Sequence, residues 1–107
     1  MDSNAAVTVA QDPVHVDSSH YTVELENEKV RVLRIRYGPR EKSEMHGHPA
    51  SVAVFLTDAR GRFTYPDGRS EDISAKAGDV IFMDATVHDP ENLDDKPFEV
   101  IAIELKL

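Results

Sequence analysis

Residues 21–37 of the chain read YTVELENEKVRVLRIRY, with hydrophobic side chains at alternate positions. The alternation covers residues 21–25, pauses at the polar pair Asn27-Glu28, and resumes from Leu33 to Tyr37. Successive side chains of a β-strand point to opposite faces, so a period of two indicates a strand with one buried face. This stretch therefore predicts two strands joined by a tight reversal.

The rest of the chain continues the same pattern. Short hydrophobic runs alternate with turn residues, and Pro66-Asp67-Gly68 is the strongest hairpin signal because Gly68 can adopt a positive φ. No window shows the 3.6-residue period of an amphipathic helix. We expect an all-β domain of two packed antiparallel sheets, a sandwich or small barrel. The further predicted strands are residues 52–57, 62–65, 71–73, 80–83 and 98–105.

Composition excludes several classes of function. Twelve basic residues stand against twenty acidic ones, and the net charge of −8 argues against nucleic acid and anionic membranes as partners. The chain has no cysteine, which excludes disulfides, thiolate nucleophiles and iron–sulfur clusters. The longest apolar run, Val52 to Leu56, is far shorter than the ~20 residues of a membrane helix. We expect a cytoplasmic protein.

The chain divides into two parts. Residues 1–18 are small and polar without sustained periodicity, and they predict a flexible amino-terminal arm. Residues 19–107 form one domain, since their length suits a single core. The alternating apolar residues Ile101, Ile103 and Leu105 predict a sheet face that needs cover, and hence a homodimer.

Three of the five histidines have suggestive positions. In an extended chain His46 and His48 face the same side, roughly 6–7 Å apart, so both imidazoles can lean toward one metal ion. His88 lies after the turn at Gly78, and an antiparallel barrel can bring it close to them. The spacing alone leaves a metal site and a structural role equally open. His15 and His20, in or beside the arm, are expected to be solvated.

Two segments carry a family resemblance. PREKSEMHGHP, residues 39–49, and GDVIFMDATVH, residues 78–88, followed by Asn92, resemble the two motifs of the cupin superfamily. The resemblance covers residues 20–107 and implies a double-stranded β-helix, or jelly roll, with a metal ion in the barrel mouth. It also implies that His46, His48 and His88 are the ligands of one divalent ion.

The departures from the family pattern concern the ligand set. The glutamate expected four or five residues after the second histidine is replaced by Val52 or Ala53, which cannot coordinate a metal. Three neutral imidazoles leave the ion its full charge of +2 and keep coordination positions open. Zinc, iron, nickel and manganese all accept imidazole, so the ligands do not select the ion.

Two residues can support the site. Glu104 shares strand parity with Phe98, Val100 and Ala102, and if this face lines the barrel it can serve as a substitute ligand or hydrogen-bond a ligand histidine. Asn92 matches the asparagine that follows the last histidine in the family, where its role is structural.

Two kinds of function agree with this sequence. The first is a protein that binds one divalent metal ion and works as an oxygenase or isomerase on a small anionic metabolite. The alternative is a barrel that binds or senses a small molecule without catalysis, with or without metal. No residue beyond the ligands is a clear general acid or base, so the sequence leaves open whether the protein is an enzyme.

Overall fold

The computed structural model describes residues 11–107 as two antiparallel β-sheets and one short helix. Over these residues, no helix combines the length and apolar character needed to cross a bilayer. The elements are α1 (Pro13–Val16), β1 (Tyr21–Glu26), β2 (Val30–Tyr37), β3 (His46–His48), β4 (Ser51–Phe55), β5 (Ala59–Thr64), β6 (Ser70–Ala75), β7 (Val80–Met83), β8 (Thr86–Asn92) and β9 (Phe98–Leu105).

The larger sheet has the strand order β1-β2-β9-β4-β7. The last strand of the chain lies at its centre, paired with β2 on one side and β4 on the other. The alternation read from the sequence is visible in β2, where Leu33, Ile35 and Tyr37 are buried while Arg36 is exposed. In β9 the buried set includes Val100, Ala102 and Glu104. A period of two thus selects the inner face, as predicted.

The smaller sheet has the order β3-β8-β5-β6. The predicted hairpin joins β5 to β6: Gly68 adopts a φ of 90°, and the Tyr65 amide donates to the Arg69 carbonyl at 2.8 Å. Strands β3 and β8 carry the three candidate histidines, and neither segment has the hydrophobic alternation that identified the other strands. Their pairing is a product of the tertiary fold.

The core lies between the two sheets. Leu33 and Tyr37 of the larger sheet are almost fully buried, and Ala59 and Ala75 approach from the smaller one. The all-β class with two antiparallel sheets is confirmed, and the architecture is that of a double-stranded β-helix.

The outer face of the larger sheet is also apolar. Ile103 lies beside Val52 and Ile101 beside Val54, and on the edge strand the side chains of Val80 and Phe82 are 64% and 60% exposed. The homodimer expected from this face stays a prediction.

The amino-terminal segment was expected to be a flexible arm over residues 1–18. Residues 1–10 lie outside the described part of the chain. In the described remainder, α1 begins after Asp12, whose side chain accepts a hydrogen bond from the Val14 amide at 3.0 Å, and Pro13 occupies its first turn. Pro13 and Asp17 are buried, so this turn packs onto the barrel.

Candidate metal centre

Strand pairing brings the three candidate histidines together. His46 lies directly opposite His88 in the β3–β8 ladder, and His48 follows on the same face because Gly47 separates it from His46. The ring centroids are 4.8, 5.0 and 5.1 Å apart in the three pairs, and the rings are close to mutually perpendicular. One ring nitrogen from each lies within 4.8 Å of the others. Two nitrogens bound to one zinc ion at about 2.0–2.1 Å each lie at most ~4 Å apart. The observed spacing is close to this limit, so small side-chain movements would bring all three nitrogens onto one ion.

The same imidazoles carry nitrogen atoms without a hydrogen-bond partner. His46 is 0% exposed and His88 3% exposed, yet Nε2 of His46 and both ring nitrogens of His88 are unpaired within the described residues. Buried polar atoms are normally satisfied, because leaving them without a partner costs free energy. A cation bound between the rings would satisfy these nitrogens, so the donor set fits a metal ion.

Hydrogen bonds fix the orientation of His46. Its Nδ1 lies 2.8 Å from the carbonyl oxygen of Glu44, which can only accept, so Nδ1 carries the proton and Nε2 the lone pair. The Ser43 hydroxyl lies 3.1 Å from the same nitrogen and donates to Asp17 at 2.5 Å. Asp17 in turn contacts Nδ1 of His20 at 2.8 Å. A chain of polar groups thus leads from the site to the amino-terminal segment.

A second chain fixes His48. Its Nδ1 lies 2.8 Å from Oε2 of Glu104, which is 2% exposed. The other carboxylate oxygen of Glu104 accepts from Arg31 Nε at 2.9 Å, and Arg31 donates two further hydrogen bonds to Asp12, at 2.7 and 2.9 Å. Both oxygens of Glu104 are therefore engaged. Because Nδ1 of His48 donates its proton to Glu104, the lone pair of the ring lies on Nε2. A carboxylate that orients a metal-binding histidine acts in this way.

Burial keeps two of the imidazoles neutral. Desolvation, with a smaller contribution from neighbouring His48, lowers the pKa of His46 from 6.5 to about 4, although the Glu44 carbonyl acts in the opposite direction. Desolvation and the two neighbouring histidines also hold the pKa of His88 well below its ordinary value. A neutral imidazole is the form that binds a metal.

Other residues named from the sequence lie elsewhere. The Asn92 amide donates to the carbonyls of Gly38 and Lys96 at 3.0 and 2.8 Å, and its oxygen accepts from the Asp94 amide at 2.9 Å. Asn92 therefore ties two loops together, apart from the histidine cluster.

The expectation of solvated histidines holds for one of two. His15 is exposed. His20 is not: it stacks on Tyr37 with ring centroids 4.3 Å apart, between Asp17 and Glu41, and its side chain is only 12% exposed. The expectation was wrong for His20, because α1 packs this part of the chain against the barrel.

Four supporting residues were not identified from the sequence: Asp12, Asp17, Arg31 and Ser43. A signal existed for Arg31, which shares strand parity with the inward-facing Leu33 and Tyr37. A charged residue on an otherwise buried face indicates a buried partner. The other three are polar residues of loops or of the amino-terminal segment, and no periodicity marks them.

A small cavity of about 70 Å³ opens between the sheets beside the histidines. His48 and His88 line it, and Phe55, Phe63 and Ile73 contribute to its apolar walls. Half-buried Met83 and exposed Asp84 also line it, which places an opening near the end of β7. The candidate centre is thus reached through a mostly apolar chamber.

Solved structures with the same architecture are numerous. A cupin domain protein of Bordetella pertussis is 27% identical, with a TM-score of 0.75 over 81% of this chain and 92% of that one. A double-stranded β-helix protein of Klebsiella pneumoniae is 20% identical, with a TM-score of 0.64 over 80% and 75%. Oxalate decarboxylase of Bacillus subtilis is 24% identical, with a TM-score of 0.56 over 73% of this chain and 22% of its own.

A comparison with curated proteins gives no significant match. The family model described as "Cupin domain" matches residues 33–104, a span that contains all three histidines and Glu104. Together with the two-sheet architecture, this match shows that the chain belongs to the cupin family.

Proposed function

We propose that this protein binds one divalent metal ion through His46, His48 and His88, and that the ion holds a small ligand in the adjoining cavity. The observation that carries the proposal is the convergence of three buried imidazoles, some of whose ring nitrogens have no hydrogen-bond partner among residues 11–107. When bound, the ion would act as a Lewis acid toward an oxygen atom of the ligand.

The protein's contribution is to hold neutral donors in fixed orientations. The Glu44 carbonyl and Glu104 each occupy an Nδ1 atom, which leaves Nε2 of His46 and His48 for the ion. Since Glu104 is held by Arg31, the ligand set carries no charge, and the ion keeps its full +2. Such a centre attracts a small anionic metabolite. Zinc, iron, nickel and manganese remain candidates, and oxalate decarboxylase, which shares the fold, has Mn(II) centres.

Catalysis is a second candidate. Three protein ligands leave positions open on the ion, which is the feature of catalytic rather than structural sites. A reaction that needs a protein base finds no carboxylate enclosed with the histidines over the described residues, because Asp84 and Glu91 of the cavity lining are exposed and half-buried. Binding is therefore the primary proposal.

The first prediction concerns metal content. Protein purified without an affinity tag and dialysed after incubation with zinc should retain one ion per chain. The His46→Ala, His48→Ala double variant should retain none, because one imidazole cannot hold the ion. His15→Ala removes an exposed histidine and is the matched control. Elemental analysis that finds equal metal in the double variant and the wild type would contradict the proposal.

The second prediction concerns Glu104. Glu104→Gln should weaken metal affinity about 10- to 100-fold, the usual effect of removing a carboxylate that orients a ligand histidine. A chelator competition titration measures it. Glu99→Gln is the control, since Glu99 lies on the same strand but pairs with Arg34 and Arg36. An unchanged affinity in Glu104→Gln would show that the carboxylate does not support the site.

The third prediction is a pH dependence of the metal-free protein. The unfolded chain takes up a proton at His46 near pH 6.5, whereas the folded chain does so only near pH 4. Stability is therefore full above pH 6.5 and falls as the pH drops toward 4, by about 2 kcal/mol between pH 7 and 5 for this residue. Urea unfolding at several pH values should show a shallower fall for His46→Gln. Parallel curves for the two proteins would exclude this coupling.

A further inference from the structure

We infer that the ligand of this cavity is a short molecule with an apolar body and a single anionic group, and that small dianions are rejected. The inference rests on the proposed metal site and specifies what that site accepts. It is carried by the composition of the cavity walls.

The size of the cavity limits the ligand first. Its volume of about 70 Å³ is roughly half that of a 150 Å³ protein cavity that accommodates benzene. The part of a ligand enclosed beside the histidines is therefore a short chain or a small branched group. Longer molecules would have to extend past Met83 and Asp84 into solvent.

Over the described residues, the walls contain no cationic side chain to pair with a second anionic group. Among the described residues that line the cavity, none is lysine or arginine, and the two carboxylates, Asp84 and Glu91, would repel an anion. Arg31 lies close to the site, but Asp12 and Glu104 already occupy its guanidinium. Proteins that bind dicarboxylates usually provide an arginine that contacts the carboxylate with two parallel hydrogen bonds. Over residues 11–107, no positive charge other than the metal ion would face the ligand in this cavity.

Four residues bring a hydroxyl group to the wall, Tyr21, Tyr37, Ser51 and Thr86, and the two tyrosines are engaged with each other. The Tyr21 and Tyr37 hydroxyls lie 2.7 Å apart and hydrogen-bond to each other. Burial raises the pKa of both phenols, so both stay protonated. A second carboxylate entering beside Phe63 and Ile73 would lose its hydration without gaining a donor of comparable strength. A methyl or methylene group in the same position would gain from leaving water.

This preference is opposite to that of the free ion. In water a divalent metal binds malonate more tightly than isobutyrate, because malonate chelates through two carboxylates. Discrimination in favour of isobutyrate would therefore come from the cavity and not from the metal. The two molecules are similar in size and differ mainly in the second charge, which makes them a suitable pair of probes.

The experiment titrates cobalt(II)-loaded protein with isobutyrate and with malonate at pH 7.5, followed by the visible absorption of the ion. Isobutyrate should bind at least tenfold more tightly than malonate. Asp84→Lys places a cation at the exposed rim and should strengthen malonate binding about tenfold, while the neutral control Asp84→Asn should have a smaller effect. Malonate binding as tight as isobutyrate in the wild-type protein would overturn the inference.

Metal content is measured on the same samples, so the two proposals fail in different ways. A protein that retains cobalt but prefers malonate overturns only the ligand class. A protein that retains no cobalt overturns the metal site, and the ligand class with it.

Discussion

The register between β3 and β8 is the constraint on which the candidate centre depends. It sets His46 opposite His88, and the alternation of β3 adds His48 on the same face. A shift of one residue would turn His88 to the other face of its strand and break the cluster. The register buries polar groups in an apolar chamber, at a cost in free energy that a bound cation can offset. The described core cluster contains no residue of β3 or β8, so this short ladder forms the site rather than the apolar core.

The amino-terminal segment completes the surroundings of the site. Asp12 lies at one end of α1 and holds Arg31, which fixes Glu104 and through it His48. Asp17 lies at the other end and accepts from Ser43, which contacts His46. Two of the three histidines are therefore linked to the same helical turn. The position of this turn on the barrel and the geometry of the imidazoles are coupled.

Much of the fold was predictable because period-two alternation reports directly on burial. It gave the bounds of β2 and β9, while turn residues gave the start of β7 after Gly78 and the hairpin at Gly68. The strands that hold the histidines were not identified in this way, since their segments, HGH in β3 and TVHDPEN in β8, carry no such pattern. Their pairing depends on contacts between distant residues, and the family resemblance supplied what periodicity could not.

Within the site, residue types were easier to predict than their partners. The sequence indicated three histidines and an inward Glu104, but neither Arg31 nor the carboxylates that reach the site from the amino-terminal segment. Those contacts join residues 19 or more positions apart, such as Arg31 with Asp12, and no local spacing encodes them. The solvated role expected of His20 failed because Tyr37 and Glu41 from other parts of the fold, together with nearby Asp17, enclose its ring.

The most direct test of a shared three-histidine centre is X-ray absorption at the zinc edge of the zinc-loaded protein. We expect three imidazole nitrogens at about 2.0–2.1 Å, with the remaining ligands being oxygen atoms from solvent or a bound anion. A spectrum with only one or two imidazoles would contradict this expectation, because His46, His48 and His88 would then not share one ion.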